Sequence, residues 1–137
     1  EYALRIIENC FDLEPVEVPT GNGFCMYIKR DVINDIGLFD EDAFPLGYGE
    51  ENDFCMRALR KGWINVITPW AFMYHHKSAS FGQRRNELGK KGFQVITSRY
   101  PDYIDLVKIY FNSEKMNKLR ERVKAVREFY LHYVKEI

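Results

Sequence analysis

Gly47-Tyr48-Gly49-Glu50-Glu51-Asn52-Asp53-Phe54-Cys55-Met56-Arg57, running on through Arg60-Lys61-Gly62, is the stretch whose reading decides the rest of this chain. Its acidic residues come first, its basic residues last, and a glycine follows. That order complements a helix macrodipole, so a helix is expected over Glu50 to Lys61, stopped at Gly62. Glu50, Glu51 and Asp53 then stand at a loop-to-helix junction. Like charges so close raise one another's proton affinity, which a solvated surface relieves but a cleft can use to tune a general base. By composition alone, an acidic helix start explains the cluster as well.

Upstream, Phe39 to Gly49 has no hydrophobic period and reads as a loop. Asp31 is placed to cap a helix carrying Val32, Ile33 and Ile36, ended by Gly37. Before it, the turn cluster Pro19-Thr20-Gly21-Asn22-Gly23 leads into Phe24-Cys25-Met26-Tyr27-Ile28, a short apolar run expected to be a largely buried strand. Tyr2, Ile6, Ile7 and Cys10 have helical spacing, and Pro15 and Pro19 break the next residues into extended segments. Downstream, Trp63 to Ile67 and Ala71 to Tyr74 read as two short strands, with His75 and His76 at the end of the second. Adjacent residues on a strand end point to opposite sides, so one of the two imidazoles at most serves a given site. A helical pattern over Gln83 to Arg99 stops at Tyr100-Pro101, and Asp102 is placed to cap another helix reaching about Phe111. Met116, Leu119, Val123, Val126, Tyr130, Tyr133 and Ile137 recur at steps of three or four, an amphipathic tail helix that needs a partner surface.

The composition sets limits. With 137 residues the chain suffices for one domain, and 46% hydrophobic with 15% aromatic residues excludes a disordered polymer. Nothing approaches the roughly 18 consecutive apolar residues of a membrane span. Cys10, Cys25 and Cys55 are odd in number and scattered, which argues against a disulfide framework or zinc site and for a reducing, cytoplasmic setting. The net charge is zero, yet residues 1 to 76 hold 13 acidic and 6 basic side chains while residues 77 to 137 hold 7 and 14. The basic half suits phosphate groups, an anionic surface or a solvated helix face.

Four pieces, in order, resemble the C-terminal half of the GT-A domain of family 2 glycosyltransferases, rhamnosyltransferase-like members in particular. Pro19 to Arg30 is similar to the family's glycine-bearing strand and basic turn. Gly37-Leu38-Phe39-Asp40-Glu41 with Phe44 resembles its G-L-F-D-E-x-F segment, and Gly47 to Arg57, through Trp63, resembles its base-bearing helix. Tyr74-His75 looks like its strand-end histidine. The resemblance spans residues 19 to 82 and implies an α/β chain: a partial GT-A (nucleotide-diphospho-sugar transferase) fold with a small mixed sheet flanked by helices, over residues 1–99, plus a helical tail over 100–137.

It further implies an inverting transferase that uses a nucleotide-sugar donor and a glycan or lipid-linked acceptor, with no nucleic acid partner. Glu51 stands at the base position, where the family commonly has Asp, with Glu50 and Asp53 as further catalytic candidates. Gly21, Asn22, Gly23, Gly49 and Arg57 fall at substrate-binding positions, and His75 at a metal position. A divalent metal, Mn²⁺ or Mg²⁺, is expected in the complete enzyme, together with a cytoplasmic location, at the membrane's cytoplasmic face if the basic tail rests there. The family's nucleotide-binding half and D-x-D metal motif are missing; Asp40-Glu41-Asp42 spells the motif in the wrong place. The chain alone is therefore expected to be inactive and to associate with itself over its uncovered face. Two other readings stay open: a noncatalytic interaction module, and a hydrolase using His75, His76 and the carboxylates.

Overall fold

A computed structural model describes residues 1–45, 47–73, 75 and 85–133, with the backbone alone at 85 and 133. Among them the protein is mixed α/β: α1 (Tyr2–Asn9), β1 (Val16–Val18), α2 (Arg30–Ile36), α3 (Glu50–Arg60), β2 (Asn65–Ile67), α4 (Arg85–Arg99), α5 (Tyr103–Phe111) and α6 (Glu114–Tyr133). No helix of the described residues is long and apolar enough to cross a membrane.

The strands form one antiparallel pair, Val16 opposite Ile67 and Val18 opposite Asn65. Two strands alone are marginal in water. This pair is held because Val16 and Val18 face inward, into a core with Ile6, Cys10 and Leu13 from the first segment and Met116, Leu119 and Val126 from α6. The tail helix thus finds its partner in α1, on the stripe its periodicity marked. Asn9 Nδ2 donates to the Arg122 carbonyl at 2.9 Å, Arg122 returns a hydrogen bond to the Asn9 carbonyl at 3.2 Å, and Tyr2 tilts against Tyr130. A second core, built on Phe44, Met56, Ile96 and Tyr103, joins α3, α4 and α5.

Several local expectations change. Phe24 to Ile28 forms no strand: Phe24, Cys25 and Tyr27 are exposed, Tyr27 at 91%. A strand exists only against a neighbour's hydrogen-bond ladder, and among the described residues β1 and β2 pair with each other alone. The run instead borders an apolar cavity of about 310 Å³, lined also by Val32, Phe54, Ala58 and Trp63. Ala71 to Met73 is irregular, while Tyr74, His76, Gln83 and Ile137 lie outside the described residues. Neither expected aspartate cap forms. Lys29 is the N-cap of α2, with Asp31 inside its first turn, and Asp102, although the N-cap of α5, makes no capping bond. The Asp102 carboxylate pairs with Arg60, at 2.7 Å through Oδ2, a stronger charge-assisted partner than a backbone amide.

Candidate functional site

Helix α3 carries its three carboxylates to three different places. The loop leading into it runs through Gly47, Tyr48 and Gly49, all at positive φ (83°, 66° and 135°). Tyr48 has a side chain, so that conformation costs roughly 1–2 kcal/mol, and packing must hold it there. Gly92 of α4 supplies that packing by lying directly on the Tyr48 carbonyl; a methyl at Gly92 would sit 1.6 Å from its oxygen. Gly49 is buried against the Phe44 ring, where a β-carbon would come within 2.7 Å. Gly49, expected to touch substrate, is thus a packing element of the loop.

Glu50 folds back on this loop, its Oε2 accepting the Gly49 N–H at 3.0 Å. Asp53 turns inward. It is fully buried, Oδ2 accepting from Arg57 Nε at 2.8 Å and Oδ1 from Arg99 Nη1 and the Tyr100 hydroxyl at 2.9 Å each. Arg99 also pairs with Asp40 at 2.8 Å. Arg57, expected at a substrate-binding position, also donates from Nη1 to the Ile36 carbonyl at 2.6 Å and from Nη2 to the Leu38 carbonyl at 2.8 Å. Asp53 and Arg57 therefore lock the helix to the 36–40 segment and to α4. Arg99 and Tyr100 were missed in the sequence because they are 46 and 47 residues from Asp53 and look like an ordinary helix end.

Electrostatics follow from this hub. The Ala43 N–H and Arg99 hold the Asp40 carboxyl below its ordinary range. Burial first, and then the hydrogen bond to Asp53, push the Tyr100 phenol from 10.0 up to about 12. Because the folded value is raised, the neutral phenol's contribution to stability is complete below pH 10.0 and is lost as pH rises through about 12. Asp53→Asn removes the buried charge and sets an amide NH2 in place of one carboxylate oxygen, against the donor or donors that oxygen had accepted from. It is expected to lose about 3 kcal/mol in urea unfolding and to bring Tyr100 down in a tyrosinate absorbance titration. An unchanged titration would mean that burial alone sets the phenol.

Glu51 faces the other way, toward the glycine turn. A β-carbon at Gly23 would meet the Glu51 side chain at ordinary contact distance, 3.7 Å from its Cβ, so the turn packs along that side chain. The turn is pegged to α3 by two contacts: Thr20 Oγ1 donates to Asn52 Oδ1 at 2.8 Å, and the Gly21 N–H donates to Cys55 Sγ at 3.4 Å. Asn22 Oδ1 accepts the Phe24 N–H at 3.2 Å and shapes the turn from within. The Phe24 ring stacks on His75, centroids 4.4 Å apart and planes within 5°. Glu51 and His75 thus border the same turn, through Gly23 and Phe24. Glu51 Oε2 is buried and has no hydrogen-bond partner among the described residues. Such atoms are rare, since leaving a buried polar group unpaired costs about 1–3 kcal/mol.

Among the described residues no three His, Cys, Asp or Glu side chains converge as a metal site. His75 is at most one ligand there.

No family model and no solved structure matches the chain. Curated relatives do. An N-acetylglucosaminyl-diphospho-decaprenol L-rhamnosyltransferase of Mycobacterium tuberculosis is 38% identical over 73 residues, 52% of this chain and 23% of that protein. An uncharacterised protein of Sinorhizobium fredii is 38% identical over 58 residues, 42% of this chain and 6% of its own length. The chain covers less than a quarter of either relative. The similarity relates it to a glycosyltransferase.

Proposed function

We propose that this chain is the acceptor side of an inverting, family 2 glycosyltransferase of the GT-A type, with Glu51 as general base. The observation that carries the reading is the buried Oε2 of Glu51 beside the Gly21–Gly23 turn, without a hydrogen-bond partner among the described residues. An acceptor hydroxyl supplies what that oxygen lacks, a donor within hydrogen-bond reach. The hydroxyl donates to Glu51, its proton passes to the carboxylate as the oxygen attacks the anomeric carbon, and the nucleoside diphosphate departs with the bonding electrons. One displacement inverts the stereocentre. Glu50, tied to the Gly49 N–H, fixes the entry of the helix; Asp53 and Arg57 fix its orientation. Holding the base in one place is worth more than a second carboxylate in reach.

A divalent cation would neutralise the diphosphate leaving group, with His75 as the ligand candidate on this chain. The donor site belongs to sequence beyond it, and the acceptor, by analogy with the mycobacterial relative's name, is a lipid-linked glycan. We place the reaction at the cytoplasmic face of a membrane. A second reading, a noncatalytic interaction module, is favoured by the exposure of Tyr27 beside the open apolar cavity.

Calorimetric titration with nucleoside diphosphates and Mn²⁺ separates these readings. Heat is expected from the full-length gene product and not from this chain alone. Tight binding by the chain alone would move the donor site into it, and silence from both would favour the interaction module.

A further inference from the structure

Helix α5 is apolar nearly all round: Asp105 and Lys108 are its only charged residues, the rest are aliphatic or aromatic, and yet Tyr103 alone is buried. A helix of that composition is ordinarily enclosed. Its inner side does pack, on β1, α4 and α6. Its outer side carries Ile104, Ile109 and Phe111 at 41%, 65% and 56% exposure. Positions 104, 108 and 111 lie within about 60° of one another round a helix, so Ile104, Lys108 and Phe111 form one stripe, with Ile109 next to it. The Arg120 guanidinium of α6 lies over the Phe111 ring, 3.5 Å from its centroid, and donates to the Phe111 carbonyl at 2.6 Å. The outer face of α5 is therefore an apolar strip with a cation inside it and a second cation stacked at its end.

We infer that this face of α5 seats the protein on an anionic lipid bilayer, with Ile104, Ile109 and Phe111 entering the headgroup layer and Lys108 and Arg120 meeting lipid phosphates. Apolar side chains interleaved with cations are what a helix lying in a bilayer interface presents. The charge is complementary, since residues 103–133 hold seven basic side chains against four acidic, and each cation near an anionic headgroup adds to binding. A protein surface fits the strip less well, and Lys108 is the reason. Its ammonium is exposed and meets only the equally exposed Asp105, at 3.4 Å. A protein partner would take that charge out of water inside the contact, where lysine is depleted. At a bilayer the stem lies along apolar surface while the ammonium stays among the phosphates. The inner side of the same helix backs onto the candidate site: Tyr103 is buried there, close enough to the glycine turn and α3 for Thr20 and Glu51 both to act on its phenol. Delivery of a lipid-linked acceptor to Glu51 rests on the transferase reading, whereas membrane binding by α5 does not.

The test is co-sedimentation of the protein with vesicles of phosphatidylcholine alone and of phosphatidylcholine with an equal part of phosphatidylglycerol. Binding is expected to the mixed vesicles, at least about tenfold tighter than to phosphatidylcholine alone, and is expected to weaken as salt is added. Ile104→Ser combined with Ile109→Ser, and separately Lys108→Glu, should each weaken it at least about tenfold. Leu4→Ser, at an exposed position on α1, should leave it unchanged. All of these positions are exposed or half-exposed, and circular dichroism checks the fold of each variant. No binding to the mixed vesicles, equal binding to both kinds, or full binding by the isoleucine variant would each overturn the membrane face. Dimers in sedimentation velocity that the isoleucine variant abolishes, with no vesicle binding, would give the face to a second copy instead. Isoleucine-dependent vesicle binding with no transfer by the full-length product would keep the membrane face and remove the transferase. Transfer to a soluble acceptor with no vesicle binding would do the reverse.

Discussion

Glu51→Gln should lower sugar transfer by the full-length enzyme by about 10²–10⁴-fold, the usual contribution of a positioned general base. Glutamine keeps the length and shape of the side chain and can still accept from the acceptor hydroxyl, but it cannot take the proton. On the proposed reading donor affinity should be unchanged, because the Glu51 side chain packs against the Gly21–Gly23 turn and serves the acceptor. Stability should not fall, since Oε2 has no partner to lose among the described residues. That combination separates the substitution from a folding defect. Steady-state rates at saturating donor, with urea unfolding on the same sample, provide the check. Near-normal turnover would place the base elsewhere, and a large loss of stability would make Glu51 a structural residue.

The second large effect is on the fold. Gly92→Ala is expected to destabilise the protein by more than about 3 kcal/mol, at the far end of single substitutions. The added methyl would stand 1.6 Å from the Tyr48 carbonyl oxygen, where an ordinary carbon–oxygen contact is about 3.3–3.6 Å. Neither side can yield alone. The oxygen is backbone in a loop of three consecutive positive φ angles, and the methyl would be fixed to a helix whose Ile96 is completely buried. Helix and loop must separate, and the loop is what delivers Glu51. Gly89, in the same helix, is the internal control, because a β-carbon there meets nothing within 4 Å. Gly89→Ala should stabilise by about 0.5–1 kcal/mol through helix propensity alone. Chemical denaturation of the two variants side by side tests the contact, and effects of the same sign would refute it.

How much of this was legible from the residues depends on whether the deciding interaction is local. Helix α3 was, because its charges, Gly49 and Gly62 all act within the helix or beside it. The buried stripe of α6, with Met116, Leu119 and Val126, was legible too, since the period alone marks it. The Phe24 to Ile28 strand failed because a ladder partner is a non-local fact that no run of apolar residues contains. Asp53 is instructive in another way. Residues two apart on a helix are turned by about 200°, so Glu51 and Asp53 could never both face one cleft, and the sequence already held that constraint. Which of them faced inward was decided by Arg99 and Tyr100, far along the chain, and by the glycine contact between α4 and the 47–49 loop.

The pairing of α1 with α6 has a mechanical consequence. Tyr2 meets Tyr130 and Asn9 meets Arg122, so the two helices run in opposite directions, with the first residues of one beside the last of the other. Tension entering through Tyr2 and leaving through Tyr130 acts on the same end of the pair. It loads one contact at a time, as in a zipper, instead of all together in shear. The clasp should therefore open at low force, Tyr2 first and Asn9 last, while the body that carries Glu51, joined through Phe44, Met56, Ile96 and Tyr103, stays outside the path of the load.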